Sequence, residues 1–171
     1  MSRFQNVRDI QTRYSLLLQS HFGLRRAESI MFNVAYADKG DHIRLKSTWT
    51  KGGKAREIAI IPPEQKTLIS ELRQKLGARS LIASDRNFKE QLKVYEYETS
   101  RVGLDRNHRL RHQFAQERFY EISGYKCPHQ GGPSRRNMTD LERHIDSAHR
   151  ATLSKELGHE RTQITSIYIG T

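Results

Sequence analysis

The sequence has a single cysteine, Cys127, and no run of apolar residues long enough to cross a lipid bilayer. One cysteine excludes an internal disulfide framework. The N-terminal residues also lack the apolar stretch, followed by small residues, that marks a secretory signal. These absences favour a protein of the reducing cytoplasm that does not span a membrane.

Acidic residues are in the minority. Nineteen Asp and Glu stand against thirty Lys and Arg, which gives a formal net charge of +11 and a pI near 10.0. Such a balance favours a polyanionic partner, because a protein that neutralises phosphates releases their counterions. Nucleic acid is the leading partner. An acidic membrane surface is the weaker alternative, since no basic amphipathic end stands out.

The length of 171 residues is enough for one compact domain with its own core and too short for two domains of usual size. Hydrophobic residues make up only 35% of the chain, yet their spacing is periodic. We therefore expect a single folded domain, residues 1–171, with a wide charged surface.

The first third of the chain combines helical and β-type spacing. Apolar residues predict a first helix over 4–23 and a second over 24–34. Two β-rich runs follow at 43–49 and 57–61. The basic segment 51–54 joins them and contains two glycines, so we expect a β-hairpin with a basic tip.

The remainder of the chain has mainly helical spacing, interrupted by one long loop that is rich in glycine, proline and basic residues, 124–137. The predicted helices are 63–76, 88–102, 110–120, a charged stretch from about 139, 151–158 and 162–168. The pattern predicts a mainly α fold with a small antiparallel β-sheet, in the α+β class.

Four polar motifs are each compatible with an ordinary structural role. The stretch 23–28, Gly-Leu-Arg-Arg-Ala-Glu, fits a helix start with a solvated ion pair, and 108–111, His-Arg-Leu-Arg, fits a basic helix face. Leu157-Gly158-His159 fits a helix end, and Tyr168 fits a core aromatic. Their order along the chain is more informative than any one of them.

The types of residue in these motifs suit the chemistry of a phosphodiester. Attack on phosphorus places charge on the non-bridging oxygens, and planar guanidinium groups are well shaped to hold them. A tyrosine oxygen can form a covalent ester with the phosphate and leave again. This intermediate conserves the energy of the phosphodiester bond, so that no ATP or metal is required. A lysine can protonate the departing sugar oxygen, and histidines can donate hydrogen bonds and move protons.

In order and spacing the motifs resemble the catalytic domain of the tyrosine recombinases, the family of phage integrases and Xer-type proteins, over essentially the whole chain. The resemblance implies two catalytic arginines, a general-acid lysine, two histidines and a tyrosine nucleophile, with one supporting carboxylate. The six catalytic positions are Arg25, Lys51, His108, Arg111, His159 and Tyr168, and the supporting carboxylate is Glu28.

The resemblance also implies a function. The protein would be a site-specific DNA recombinase, or integrase, that cleaves a strand to a 3′-phosphotyrosine and a free 5′-hydroxyl and serves a mobile element. Its partner would be double-stranded DNA, on which four copies assemble, with no cofactor, small-molecule substrate or membrane. It would lie in the cytoplasm, on the nucleoid when bound to DNA. Two alternatives remain: a DNA-binding protein of the same fold without catalysis, and a type IB topoisomerase-like enzyme.

Basic residues beside the catalytic positions are candidates for contacts with DNA. Arg26 and Lys54 carry the same charge as their neighbours Arg25 and Lys51, and the Gly-Leu-Arg and Thr-Lys-Gly-Gly registers favour Arg25 and Lys51 as the catalytic pair. Arg26 is expected to point about 100° around the helix from Arg25, which places it away from the site. The predicted DNA contacts are Lys54, Arg56, Arg109, Arg135 and Arg136.

The gap between Arg111 and His159 is longer than the family pattern predicts, so we expect an insertion at about 122–150. It contains potential zinc ligands, Cys127, His129, His144 and His149. Their spacing lacks the paired-cysteine arm that makes zinc motifs specific, so we expect no metal. The favoured interpretation is a solvated insertion whose Arg135, Arg136 and Arg143 touch DNA or a neighbouring subunit.

The first predicted helix lies close to the N-terminus, and nothing before it resembles the separate helical domain with which these recombinases clamp the other face of DNA. We therefore expect this clamping domain to be absent from the chain.

Overall fold

The computed structural model describes residues 4–104 and 106–171. Within them the chain is mostly helical and contains a two-stranded antiparallel sheet. The predicted mainly α architecture with a small antiparallel sheet is therefore confirmed. The chain divides into two compact units, Met1–Arg111 and His112–Thr171. The assignment of 1–171 to one catalytic domain stays a prediction.

In the described residues, the first unit contains five complete α-helices and the sheet. It ends in the first turn of a sixth α-helix. In chain order these are α1 Ile10–Phe22, α2 Arg26–Met31, α3 Val34–Ala37, β1 His42–Leu45, β2 Arg56–Ala59, α4 Pro63–Leu76, α5 Phe88–Arg101 and the start of α6 His108–Ser123.

Helix α1 begins later than the apolar spacing predicts. The Asp9 carboxylate accepts a hydrogen bond from the backbone N–H of Thr12 at 2.8 Å, which caps the helix there. Phe4 and Val7, which the periodicity included, precede the helix and are buried. The helix ends as predicted at Gly23, whose φ of 62° suits a residue without a side chain.

The prediction of one continuous helix over 24–34 is wrong, because the structure contains two short helices there, α2 and α3. Phe32 is extended, with φ −59° and ψ 129°. The side chain of Asn33 then accepts a hydrogen bond from the N–H of Tyr36 at 3.2 Å and starts α3. An asparagine cap thus ends one helix and begins the next.

The predicted hairpin is confirmed, with shorter strands. His42 pairs with Ala59 and Leu45 with Arg56 in an antiparallel register. Ile43 and Leu45 are buried while Arg44 between them is exposed, as alternation predicts. Trp49 lies outside the strand, in a short 3₁₀ helix, Ser47–Trp49.

The second unit contains the rest of α6 and two further helices, α7 Asp140–Leu157 and α8 Thr162–Ile169. Two 3₁₀ turns, Pro128–Gln130 and Arg135–Asn137, lie before α7. The expected break within 139–158 is wrong, because α7 is one continuous helix of 18 residues. Thr139 and Glu142 cap its start reciprocally, and Gly158 ends it with φ 68°.

The segment before α7, which we expected to be a solvated loop, is anchored by two buried side chains. Cys127 and Met138 are buried, with 0% and 8% exposure. Arg135 pairs with the buried carboxylate of Asp146 at 2.5 Å. The segment is therefore an integral part of the second unit. None of the helices in residues 4–104 and 106–171 has the length and apolar character to span a membrane.

Candidate active site

Arg25 and Glu28 form the start of α2. The backbone N–H of Arg25 donates to Glu28 Oε2 at 2.7 Å, and Arg25 Nη1 donates to Glu28 Oε1 at 3.1 Å. The Glu28 side chain is 1% exposed, whereas that of Arg25 is 30% exposed. The buried carboxylate thus fixes both the backbone and the guanidinium of Arg25, while leaving the guanidinium accessible.

Arg56 holds the other side of the same carboxylate. Its Nη1 and Nη2 lie 2.5 and 2.7 Å from the two oxygens of Glu28 in a bidentate pair. Arg56 is 8% exposed. The prediction of Arg56 as a surface contact to DNA therefore needs correction: alternation along β2 turns its side chain inward, where it supports Glu28.

The charge of Glu28 depends on these two arginines. Burial opposes its ionisation, but the hydrogen bonds and charge of Arg56 and Arg25 outweigh burial and lower the pKa of the carboxyl. Glu28 is consequently an anion held between two cations. The resemblance predicts this residue as support for the site, and that role stays a prediction.

Three of the predicted catalytic residues line one cleft of about 450 Å³ in the first unit: Arg25, His108 and Arg111. Arg111 is 2% exposed, and its Nη1 donates to the backbone carbonyl of Gly23, just before Arg25. Arg26, which was expected to lie away from the site, also lines the cleft, so that expectation is wrong. It pairs with Glu96, another lining residue, at 3.1 Å. Arg25 and Arg111 leave the cleft with an excess of positive charge.

Three polar residues that the sequence did not single out also line this cleft. The hydroxyl of Tyr95 accepts hydrogen bonds from Gln19 at 2.9 Å and from Asn107 at 3.1 Å. Tyr95 is buried, and burial raises its pKa. The network ties α1 and α5 to Asn107, which precedes His108. No motif marks these residues, because their contacts join distant parts of the chain.

Lys51 lies at the exposed tip of the hairpin, together with Lys54. The Thr50 hydroxyl closes the base of this tip, donating to the carbonyl oxygens of Ser47 at 3.1 Å or Lys54 at 2.7 Å. Gly52 and Gly53 have φ of 111° and 67° and allow the tight turn. Lys51 is thus carried on a short exposed arm and does not line the cleft of Arg25, His108 and Arg111.

Tyr168 lies in the last turn of α8 and is 7% exposed. Its ring stacks on that of His159 with 5.2 Å between centroids, and the ring of His112 lies at 4.4 Å. His159 Nδ1 is 3.0 Å from the hydroxyl of Thr165, which fixes the imidazole from within α8. The structure therefore brings together two predicted residues, His159 and Tyr168, and adds His112, which directly follows Arg111 in the sequence.

The backbone carbonyl of Tyr168 is also held. Gln116 Nε2 donates to it at 3.0 Å, and His129 Nδ1 lies 3.2 Å away. His129 is one of the four residues weighed as zinc ligands. In residues 4–104 and 106–171 no cluster of three or more His, Cys, Asp or Glu is arranged to hold a metal ion.

The remaining predicted DNA contacts differ in exposure. Arg109 and Arg136 are exposed. Arg135 is half-buried and engaged with Asp146. Arg143, considered with them, donates to the carbonyl of Arg135 at 3.0 Å and pairs with Asp140 at 3.1 Å. Arg135 and Arg143 are thus engaged with carboxylates of the same unit, whereas Arg109 and Arg136 are exposed.

Comparison with known proteins gives a match in structure and none in sequence. No family model matches the chain, and no curated protein does. Among the solved structures that match are two that cover 98% of the chain, both with a TM-score of 0.50 and 20% sequence identity. They are the XerH site-specific recombinase bound to its difH substrate before cleavage, and to a palindromic difH substrate after cleavage.

This is the fold of a tyrosine recombinase catalytic domain. The resemblance that the motifs predicted is confirmed at the level of the fold. The chain spans 44% and 43% of the lengths of the two XerH chains.

Proposed function

We propose that the protein is a DNA strand transferase of the site-specific recombinase type, which breaks and rejoins DNA through a 3′-phosphotyrosine at Tyr168. The observation that carries the proposal is the cleft of the first unit. Arg25, His108 and Arg111 come from distant parts of the sequence, yet all three line it. Two guanidiniums and an imidazole suit the oxygens of a phosphodiester under attack.

In the proposed reaction the cations of the cleft hold the non-bridging oxygens of the scissile phosphate. Tyr168 Oη forms a bond to phosphorus, and the bond from phosphorus to the 5′ oxygen breaks. Lys51 gives a proton to that oxygen, which leaves as a free 5′-hydroxyl. The reverse steps, with a different 5′-hydroxyl as the attacking group, join the new strand and free Tyr168. No external energy source is needed.

The imidazoles beside Tyr168 would receive the phenolic proton and shield the ring from bulk water. His159 and His112 both contact the tyrosine ring. His159 keeps a defined orientation through Thr165. We assign His159, which matches the family's Leu-Gly-His motif, to hydrogen bonding and proton transfer at the nucleophile, and add His112 as a second imidazole beside Tyr168.

The wider biological role follows from the same proposal. The protein would act on double-stranded DNA in the cytoplasm as a homo-tetramer, for the integration or excision of a mobile element, without a cofactor. Residues 1–171 would form its catalytic domain, with an insertion at about 122–150. Arg109, Arg136, Lys54 and Arg135 would contribute contacts to DNA.

The cleft is tested by removing its arginines one at a time. The probe is lightly nicked genomic DNA of the source organism, and the readout is the protein–DNA adduct that survives denaturation. Arg25→Ala and Arg111→Ala should each lower the rate of adduct formation about 100- to 1,000-fold, as expected for loss of one group that stabilises transition-state charge. Arg79→Ala, an exposed arginine outside the cleft, is the matched control and should react like the parent.

Adduct formation at the parent rate by both cleft variants would contradict the proposed role of the cleft. A parent protein that relaxes supercoiled plasmid without a specific site would instead favour a topoisomerase-like activity. A protein that binds DNA and forms no adduct under any condition would be a binding module of the same fold.

A further inference from the structure

The short segment 127–134, which we name the brace, holds the backbone of residues 168–171 at three points. His129 Nδ1 lies 3.2 Å from the carbonyl oxygen of Tyr168. Ser134 Oγ donates to the carbonyl of Thr171 at 3.2 Å. Gly170 packs directly against the 3₁₀ turn of the brace. The brace belongs to the predicted insertion, to which the proposed chemistry assigns no part.

The contact between His129 and Tyr168 has a defined direction. A carbonyl oxygen can only accept, so the proton must lie on Nδ1 of His129. The carbonyl of Tyr168 is in the last turn of α8, where no further helical N–H is available to it. Gln116 and His129 each donate to it and together use both of its lone pairs.

Gly170 shows how closely the brace fits. A β-carbon at this position would lie 2.8 Å from His129 Cδ2 and 3.0 Å from Pro128 Cβ. Its φ of 85° also disfavours any other residue. The carbonyl of Gly170 accepts from Arg150 Nη1 at 2.7 Å, and this arginine is anchored to the buried carboxylate of Asp146.

Internal hydrogen bonds and one buried side chain hold the brace itself in place. The N–H groups of Gln130 and Gly132 both donate to the carbonyl of Cys127 at 2.9 Å, and Cys127 is fully buried. Proline at 128 fixes one backbone angle of the turn. A side chain at Gly132 would collide with the carbonyl of Lys126, so the chain is tightly folded there.

We propose that His129 is a positioning residue, which sets the orientation of Tyr168 by donating a hydrogen bond to its backbone carbonyl. This inference rests on the proposed function of Tyr168 as the nucleophile. The brace fixes the backbone at the end of α8, and this backbone sets the orientation of the Tyr168 phenol. Attack on phosphorus requires the tyrosine oxygen to be aligned with the scissile phosphate. A displacement of this oxygen by less than the length of the bond that it forms to phosphorus is enough to slow the reaction.

The test separates the donor from the shape of the side chain. His129→Phe keeps a ring and removes the donor, whereas His129→Asn keeps an N–H near the position of Nδ1. His144→Phe, at an exposed position on α7, is the matched control. Three quantities are measured: the single-turnover rate of adduct formation on nicked genomic DNA at saturating protein, the affinity for DNA, and the hydrogen exchange of the amides of residues 169–171.

We expect His129→Phe to form the adduct about tenfold more slowly, the equivalent of one lost hydrogen bond, with unchanged DNA affinity. The amides of 169–171 should exchange faster in this variant. His129→Asn should recover most of the rate and of the protection, and His144→Phe should behave like the parent.

Each other outcome has a distinct meaning. If the Phe variant keeps the parent rate while the adduct still requires Tyr168, the positioning role is wrong and the proposed function stands. Equal loss in the Phe and Asn variants would make His129 a packing residue, which also overturns the inference. If no protein forms an adduct, the proposed function fails, and unchanged exchange in His129→Phe would then overturn the brace independently.

Discussion

At the scale of single residues, the structure makes Glu28 the most constrained charge of the candidate site. Its carboxylate is shared between a buried arginine, Arg56, and an accessible one, Arg25. Burial of a charge is costly unless its partners compensate it fully. The arrangement holds Arg25 in place where it lines the cleft. It also makes the stability of the first unit depend on an ionised Glu28.

Glu28→Gln should therefore lower the free energy of unfolding by about 3–5 kcal/mol, because it leaves Arg56 buried without a counter-charge. Urea denaturation at neutral pH measures this loss. Glu57→Gln, at an exposed position on β2 next to Arg56, is the control and should change stability little. A change equally small in both variants would contradict the ion pair.

The same pair predicts the direction of a pH effect. Since the pKa of Glu28 is lower in the folded protein, its stabilising contribution is fully present above the unfolded value of 4.5 and is lost as the pH falls further. The parent should thus lose more stability than Glu28→Gln on acidification below that value.

At the scale of elements, helix ends set by glycine or proline could be predicted from the sequence, and breaks set by side-chain hydrogen bonds could not. Helix α4 runs from Pro63 to Leu76, as its flanking Pro62 and Gly77 indicate. The break before α3 depends on one bond from the Asn33 side chain, which apolar periodicity cannot detect.

Helix α7 illustrates a second limit. Its buried face includes the charged residues Asp146, Arg150 and Glu156, which resemble a solvated surface in the sequence. Their burial depends on partners that lie elsewhere in the chain, such as Arg135 for Asp146. For the same reason, the motif pattern predicts Arg25, Glu28 and Arg111 as site residues, whereas the sequence offered His129 only as a potential zinc ligand and gave no sign of its contact with the backbone of Tyr168.

The hairpin leads to a prediction about Lys51, whose proposed role is to protonate the leaving oxygen. Lys51→Ala should slow cleavage of ordinary DNA and have a much smaller effect when sulfur replaces the 5′ bridging oxygen at the scissile position. A thiol is a far stronger acid than a sugar hydroxyl, so a thiolate leaves without a proton. Adduct formation on the two substrates is compared after the cleavage site has been mapped. Equal defects on both would exclude Lys51 as the general acid.

At the scale of the whole molecule, the main property is the excess of positive charge, +11. A protein with this charge should bind duplex DNA largely through phosphates, and phosphate contacts carry no sequence information. In the proposed function the charge would therefore supply attraction to DNA, whereas the choice of site would depend on contacts to the bases.

We expect the logarithm of the binding constant for random duplex DNA to fall linearly with the logarithm of salt concentration. Replacing Lys51 and Lys54 together by alanine should make the slope shallower by about 2 if each side chain neutralises one phosphate. A fluorescence anisotropy titration at several salt concentrations gives both slopes. Binding that is insensitive to salt would contradict the nucleic-acid proposal.

The central claim is that Tyr168 forms the covalent bond to DNA, and one measurement tests it most directly: mass spectrometry of the denatured adduct after digestion of both protein and DNA. The account predicts a single modified peptide, with the 3′-phosphate of DNA on Tyr168. It also predicts no adduct from Tyr168→Phe, although its affinity for DNA is unchanged. Tyr97→Phe, at a tyrosine that is 67% exposed, should still react. A phosphate linked to another residue, or an adduct formed by Tyr168→Phe at the parent rate, would contradict the account.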